Sequence, residues 1–144
     1  MPILAGGIIT AGQLARMQPV PYKAVASSAL AGAVSNADVP GCSVTFTTQA
    51  PGAIVVAHIV CDFDPSGTVS TLSNGRLAID GTGVGEYAVY QSAGAISDRQ
   101  STPQSYRETL GAAGSHTVKM IATLATNVTM NVYTTLEFTV YEVV

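Results

Sequence analysis

Apolar and polar residues alternate with a period of two through much of the chain. In the segment TTLEFTVYEVV, residues 134–144, Leu136, Phe138 and Val140 fall on one face, with polar residues between them. This alternation is typical of a half-buried β-strand. We therefore expect the end of the chain to be held in a sheet, with its two terminal valines covered by another surface. A second copy of the chain is one candidate for that cover.

Comparable segments recur from residue 20 onward, separated by turns rich in glycine, proline, asparagine and serine. The segment 53–63 is nearly continuous in apolar residues, which predicts a strand at the centre of the core, covered on both faces. In the segment 116–124, alternate residues from His116 to Leu124 share one face. About eight short strands with such turns predict the all-β class, as an antiparallel β-sandwich of the jelly-roll type. The predicted strands are 20–34 (an edge or loose strand), 42–49, 53–63, a hairpin within 68–80, 86–92, 105–110, 116–124 and 130–144.

Two turns are predicted from short motifs. A hairpin turning at QAPGA, residues 49–53, would place Cys42 opposite Cys61, and two further apolar pairs agree with that register. We interpret both cysteines as buried free thiols, and a disulfide stays open if the geometry allows it. The pair Asn74-Gly75 lies between β-forming residues and predicts a second hairpin with a two-residue turn.

Residues 1–20 differ from the rest of the chain, with clustered apolar residues and paired glycines. Thr10 is placed to cap one short helix that carries Leu14 and Met17 one turn apart, before a proline ends it. We therefore divide the chain into an N-terminal arm, residues 1–20, and one β-sandwich domain, residues 21–144. The arm either packs along its own domain or reaches a neighbouring subunit or scaffold, and the sequence leaves both open.

The composition points to an assembly. Charged residues make up 10% of the 144 residues, against roughly 25% in ordinary soluble domains, and the mean hydropathy is +0.35. Few charges leave few solvated faces, so we expect much of the surface of one chain to be covered by other subunits. Six dispersed Lys and Arg and a net charge of -3 exclude the basic stripe that a nucleic acid requires.

Neither a membrane span nor an export signal is predicted. The apolar run IVVAHIV, residues 54–60, is far shorter than the ~20 residues that cross a bilayer as a helix. The opening residues lack the positive region and the sustained apolar core of a secretory signal. We therefore expect no membrane partner.

The remaining candidates for chemistry are weak. DFDPSG, residues 62–67, begins like a calcium loop, but Ser73 stands where a bidentate glutamate is expected. Its Asp-Pro-Ser-Gly order instead favours a type I turn. His58 and His116 lack a ligand partner at metal-site spacing, so we interpret them as structural, hydrogen-bonded histidines. The two aspartates of DFDPSG share a strand face without the further group that glycoside hydrolysis requires. We expect no metal, no cofactor and no enzyme activity.

Several segments carry a resemblance to known families. The order VPGCSVTF, NGRLAIDG, ETLGAAGSHTVKM and NVYTTLEFTVYEVV resembles the jelly-roll head of tumour-necrosis-factor-like and complement-globular-head modules, which assemble as trimers around an apolar seam. The opening MPILAGGIITAGQLARMQP, with AGSHTVKM and MNVYTTLEFTVYEVV, resembles small virion proteins of phages that infect actinobacteria. In such phages, similar domains occur as capsid decoration proteins and as tips of tail proteins.

The resemblance implies a trimeric capsid decoration protein on the virion surface, made in the host cytoplasm. Its partners would be sister copies and the major capsid protein or another virion protein. A short arm, rather than a long shaft, favours decoration over the alternative, a receptor-binding knob at the tail tip. Residues expected to anchor the arm are Ile3, Leu4, Ile8, Ile9, Leu14 and Met17, and those expected to touch a host ligand in the alternative are Tyr87, Tyr90, Asp98 and Arg99.

Overall fold

Inward-facing apolar residues at alternate strand positions bring two antiparallel sheets face to face. The structure is a computed structural model that describes residues 8–67, 71–91 and 98–143. Within these residues the elements are α1 Ala11–Arg16, β1 Val20–Val25, β2 Leu30–Ala31, β3 Val34–Thr48, β4 Ile54–Pro65, β5 Ser73–Ile79, β6 Thr82–Tyr90, β7 Gln100–Thr109, β8 Gly114–Leu124, β9 Val128–Met130 and β10 Thr135–Tyr141. The chain is an antiparallel β-sandwich of the jelly-roll type, as predicted.

The first sheet, sheet A, is built around β4. Its strand order is β1-β10-β4-β9-β2, and β7 pairs with the other side of β4. Along that strand, residues 54–60 pair with β10 and residues 63–65 pair with β9. The turn between β9 and β10 therefore lies beside residues 61 and 62 of β4. The second sheet, sheet B, has the order β3-β8-β5-β6.

The core fills the space between the two sheets. The predicted inward faces are confirmed, because alternate residues of β8 from His116 to Leu124 are buried, as are Leu136, Phe138 and Val140 of β10. Aromatic rings stack within this layer, since the ring centre of Phe138 lies 4.9 Å from that of Tyr22. The prediction that 53–63 is covered on both faces is wrong for its first half. There Val56 is 41% exposed on the outer face of sheet A.

The predicted hairpin of residues 42–61 is wrong. β3 pairs with β8 in sheet B, whereas β4 pairs with β10 and β7 in sheet A. The turn at residues 49–53 therefore crosses from one sheet to the other. Cys42 and Cys61 are both buried, but they enter the core from opposite sheets and are not cross-strand neighbours. A period of two identifies the inward residues without identifying the partner strand.

The predicted turn at Asn74-Gly75 is also wrong. Both residues lie inside β5, and the hairpin from β5 to β6 turns at Asp80-Gly81. These two residues have φ angles of 50° and 82°, as the two-residue turn of a hairpin requires. Gly75 has a packing role instead, because a Cβ atom there would lie 2.5 Å from the Sγ atom of Cys61.

Candidate functional site

The arm ends in a short helix whose first residue is set by hydrogen bonds between neighbouring residues of the arm. The hydroxyl of Thr10 accepts a hydrogen bond from Gln13 N at 3.2 Å, and Gln13 Oε1 accepts one from Thr10 N at 2.9 Å. This reciprocal capping box begins α1 at Ala11, and the predicted helix is confirmed. The helix is six residues long, which is too short to be stable in isolation.

The apolar side chains in the described part of the arm are exposed. No residue of α1 is buried. Ile8 is 92% exposed and Leu14 is 55% exposed, and Ile9 and Met17 are exposed as well. Ile3 and Leu4, the other predicted anchoring residues, lie outside the described residues. Four exposed apolar side chains within ten residues of the chain are suited to binding another apolar surface.

A second uncovered apolar surface, the outer patch, lies on sheet A. We define it by Pro21, Val25, Val56 and Tyr141, which lie on the outer face of β1, β4 and β10. Val143, two positions after Tyr141, is 43% exposed. The surface predicted to cover the end of the chain is therefore not supplied by the described part of this chain. Val144 lies outside the described residues.

A shallow depression of about 610 Å³ crosses the outer patch. Polar groups in it pair with one another: Lys23 Nζ lies 2.6 Å from Glu137 Oε1, and His58 Nδ1 lies 3.1 Å from Ser105 Oγ. The hydrogen bond from Lys23 lowers the pKa of Glu137. Mutually paired polar groups beside exposed valines can be covered by a partner at a smaller desolvation cost than unpaired ones.

The outer face of sheet B has a different character. Hydroxyl and charged side chains dominate it, with Thr45 Oγ1 2.8 Å from Thr117 Oγ1 and Lys119 Nζ 2.6 Å from Asp38 Oδ1. Exposed apolar side chains also occur there, on edge strand β6. Of the two outer faces, that of sheet A is therefore the better suited to association, and that of sheet B to solvent.

The four predicted recognition residues do not form one surface. Tyr87 is 43% exposed and lies on the outer face of sheet B, where the Arg76 guanidinium sits 4.6 Å from its ring centre. Tyr90 is only 1% exposed, so its assignment to a surface is wrong. Its ring stacks on Phe63 in the core, and its hydroxyl donates to the Asp98 carbonyl at 2.7 Å. Two residues three positions apart on a strand necessarily face opposite sides.

Arg99 belongs to a different group of side chains, the polar–aromatic cluster, on the outer face of sheet A. Arg99 Nε and Nη2 donate to the two oxygens of the buried Asp62 at 3.0 and 2.5 Å. The hydrogen bond with Asp62 raises the pKa of Arg99. The guanidinium also lies 5.2 Å from the ring centre of Tyr133. The members of the cluster are Asp62, Asp64, Arg99, Asn131 and Tyr133.

Tyr133 is presented by a well-bonded turn between β9 and β10. Asn131 N donates to the Asp62 carbonyl at 2.8 Å, and Asn131 Nδ2 donates to Asp64 Oδ2 at 2.7 Å. Thr134 is fully buried, and its hydroxyl accepts from Asp62 N at 3.1 Å. Tyr133 projects from this turn and is 69% exposed.

The cluster corrects two interpretations of DFDPSG. β4 continues through Pro65, which pairs with Val128, so the predicted turn does not begin at Asp64. Asp62 and Asp64 lie on one strand face, as predicted, but their carboxylates are engaged by Arg99 and Asn131 rather than arranged as a calcium loop. Among the described residues, no group of three or more His, Cys, Asp and Glu side chains is close enough to hold a metal ion.

The cluster was not predicted from the sequence, although the sequence carries one signal of it. The predicted strand 130–144 is interrupted at residues 131–134, where Val132 and Tyr133 are both exposed and break the alternation. Tyr141, another exposed tyrosine, lies at the far end of β10 from this turn. A break in a period of two next to an aromatic residue marks an exposed turn.

The buried titratable groups are structural. Burial raises the pKa of the Cys42 thiol to about 11, and burial together with Cys42 raises that of Cys61 to about 12. His116 is buried, with Nδ1 2.7 Å from Asp80 Oδ2 and Nε2 3.1 Å from the Ala112 carbonyl. Both cysteines are free and both histidines are hydrogen-bonded, as predicted. In the three described segments of the chain, none of the helices has the length and apolar character of a membrane span.

Comparisons with known proteins identify the fold class rather than a family. No protein-family model matches the chain, and no curated protein matches it in sequence. Dimeric latent PorU from Porphyromonas gingivalis is similar in structure, with 8% identity and a TM-score of 0.53 over 86% of this chain. The VP2 subviral particle of infectious bursal disease virus is similar over 86% of this chain, with 10% identity and a TM-score of 0.50.

A third similar structure is a carbohydrate-binding domain, CBM35 from Cellvibrio japonicus Abf62, with 17% identity and a TM-score of 0.41 over 82% of this chain and 92% of that domain. The chain spans 13% of the length of PorU and 33% of that of VP2. At these identities the likeness concerns the fold alone. The class of protein is therefore a jelly-roll β-sandwich.

Proposed function

We propose that the protein is a structural component of a virion surface, and specifically a capsid decoration protein. The observation that carries this proposal is the exposure of four apolar side chains of the arm, which ranges from 47% to 92% in Ile8, Ile9, Leu14 and Met17. The likeness of the sandwich to the VP2 subviral particle supports a virion structural role at the level of the fold. A protein that binds only the assembled shell would stabilise that shell by mass action, without any chemical reaction.

In this proposal the two uncovered surfaces have separate roles. The arm inserts its apolar side chains into the shell, and the outer patch of sheet A packs against sister copies in a trimer. The charged side chains Lys23 and Glu137 in the depression are paired with each other, so that covering the outer patch desolvates an existing ion pair rather than two separate ions. The hydroxyl-rich outer face of sheet B would then point to solvent.

The test of attachment uses particles that lack this protein. We expect purified protein to bind them, and Leu14→Ser/Met17→Ser to weaken binding. Each of these side chains is about half exposed in the free protein, so covering the rest contributes ~1 kcal/mol, and losing both weakens binding about thirtyfold. The matched control is Tyr87→Ser/Val89→Ser, which alters two comparably exposed side chains on sheet B and should leave binding unchanged.

Both double variants should keep the unfolding free energy within about 0.5 kcal/mol of the wild type, because the changes are at the surface. Full attachment by the arm variant would refute the role of the arm. Attachment to tail tips, rather than to heads, in antibody-labelled particles would favour the tail-tip knob instead.

The trimer is tested separately by light scattering coupled to size exclusion. We expect a trimeric mass for the wild type and a monomeric mass for Val56→Lys, because a buried unpaired charge at the centre of the outer patch is costly. Thr45→Lys on the outer face of sheet B is the control, and it should remain trimeric. A monomeric wild type would overturn the assignment of the outer patch.

A further inference from the structure

We propose that the polar–aromatic cluster is a binding site for a neutral carbohydrate. Tyr133 is 69% exposed, and the guanidinium of Arg99 lies over one face of its ring, 5.2 Å from the ring centre, so a sugar would pack on the opposite face. Asp64 and Asn131 adjoin the same turn through their own hydrogen bond. This inference concerns a second activity and does not depend on attachment of the protein to a shell.

The cluster is held rigidly, as a binding site requires. Arg99 is bound to Asp62 through two hydrogen bonds, and the carboxylate of Asp62 is almost fully buried. The Arg99 side chain is 43% exposed, and an ion pair that is only partly buried contributes little net stability, so the main effect of the pair is to set geometry. Here it fixes the plane of the guanidinium next to Tyr133. The turn that carries the tyrosine is itself anchored to Asp62 by Asn131 N and the buried Thr134.

The chemistry of the cluster matches that of a pyranose ring. A sugar has an apolar face of C–H groups, which packs on an aromatic ring, and a rim of hydroxyls, which pair with planar polar side chains. The neighbouring Val132 is exposed and extends the apolar surface. Within the described part of the chain, Asp64 Oδ1 and the Tyr133 hydroxyl take part in no hydrogen bond, so one acceptor and one donor of the cluster are free to bind sugar hydroxyls.

Charge selects the class of sugar. The cluster contains two carboxylates, Asp62 and Asp64, and a single guanidinium, that of Arg99, which is already paired with Asp62. The remaining charge is therefore negative and is centred on Asp64. Uronic acids, sialic acids and sulfated sugars would be repelled by it, whereas neutral hexosides and N-acetylhexosamines would not.

The site lies on the same face of sheet A as the outer patch. Asp62 follows Val56 by six positions on β4, which corresponds to about 20 Å along a strand, but Val25, at the other end of the patch, pairs with Thr135, two positions after Tyr133. Sister copies that cover the Val56 end of the patch and leave the Val25 end open would therefore leave Tyr133 exposed to glycans on a host surface.

The test uses the purified full chain and a panel of sugars. The neutral members are methyl glycosides of glucose, galactose and mannose, and N-acetylglucosamine with its oligomers; glucuronate and N-acetylneuraminate are the anionic members. Binding is followed by the amide resonances of 131–134 in a nuclear magnetic resonance titration. We expect at least one neutral sugar to shift these resonances and the anionic sugars to leave them unchanged.

Three variants make the result specific. Tyr133→Ala removes an exposed ring, so it should fold normally, and it should weaken sugar binding at least tenfold. Tyr87→Ala removes the other exposed tyrosine that stacks on an arginine, and it should leave sugar binding unchanged. Asp64→Asn keeps the shape of the side chain and removes the charge, and it should allow glucuronate to bind.

The proposal would be overturned if no neutral sugar on a broad array bound, if Tyr87→Ala and Tyr133→Ala reduced binding equally, or if anionic sugars bound better than neutral ones. Host-cell adsorption that neutral sugars fail to compete for would indicate a protein receptor and would also overturn it. None of these outcomes bears on attachment to the shell, which is measured with particles alone.

Discussion

The contact between Gly75 and Cys61 gives a quantitative test of how the two sheets face each other. A Cβ atom at Gly75 would lie 2.5 Å from Cys61 Sγ and 3.3 Å from Met130 Cε. All three residues lie in the core between β5 and sheet A, and both cysteine and methionine are fully buried. We therefore expect Gly75→Ala to destabilise the fold by ~2 kcal/mol through overpacking.

The second half of the test removes the obstacle. Cys61→Ala alone deletes one buried sulfur and should cost ~1 kcal/mol, which is typical of a methyl-sized cavity. In the double variant the new methyl group of Ala at position 75 occupies the space that the sulfur has left. The double variant should therefore lower the free energy of unfolding by ~1 kcal/mol, whereas the two single variants together would lower it by ~3 kcal/mol if their effects were additive. The difference is a coupling energy of ~2 kcal/mol.

The free energies are measured by urea unfolding at one fixed protein concentration, because association shifts apparent stability. Gly111→Ala is the matched control: a Cβ atom there meets nothing within 4 Å, so its effect should be small and independent of Cys61. Additive effects of Gly75→Ala and Cys61→Ala would refute the arrangement in which Gly75 of β5 packs against Cys61 of β4 across the core. A turn at Asn74-Gly75 would produce that additive result, since the cost of alanine would then come from the backbone alone.

Two further predictions concern titratable groups. Partial burial raises the pKa of Asp80, but hydrogen bonds from His116 and Thr117 N outweigh this effect and hold the pKa below its ordinary value of 3.8. Asp80 therefore stabilises the fold above that pH, and the contribution is lost as the pH falls below 3.8 through the lowered pKa of the folded state. Asn tolerates the left-handed turn conformation, so Asp80→Asn tests the carboxylate alone. Because the carboxylate is half exposed, we expect the variant to lower the free energy of unfolding by ~1 kcal/mol near neutral pH, and by less at about pH 3. Urea unfolding measures both values, and an equal loss at the two pH values would contradict the prediction. The second prediction is that Cys42 and Cys61, with pKa values raised to about 11 and about 12, will not react with Ellman's reagent at mildly alkaline pH until the protein is unfolded, and rapid labelling of the native protein would refute their burial.

The alternation of residues predicted most of the strands and their inward faces. His116 to Leu124 and Leu136 to Val140 are buried as expected, because a strand places every second side chain on one face whatever its partner is. The capped helix at Ala11 was equally predictable, since its hydrogen bonds join residues three positions apart. These features depend on neighbours along the chain.

The predicted site was less accurate, because it required knowledge of distant contacts. Tyr87 lies on the outer face of sheet B, Arg99 lies on the outer face of sheet A, and Tyr90 is buried between the sheets. Tyr133 and Arg99 meet because the start of β7 and the turn between β9 and β10 lie on the two sides of β4, both beside Asp62. No local pattern relates residues 99 and 133, which are 34 positions apart.

The sequence by itself determined the all-β class, the faces of the strands, the arm with its helix and the shortage of charge. Only the tertiary structure decided which strand pairs with which, so that β3 and β4 lie in different sheets and Asp80-Gly81 forms the turn. The physical reason is that burial of alternate residues stabilises any register that keeps the apolar face inward. Choosing among such registers depends on close contacts such as that of Gly75 with Cys61 and on the ion pair of Asp62 with Arg99, which form only in the folded chain.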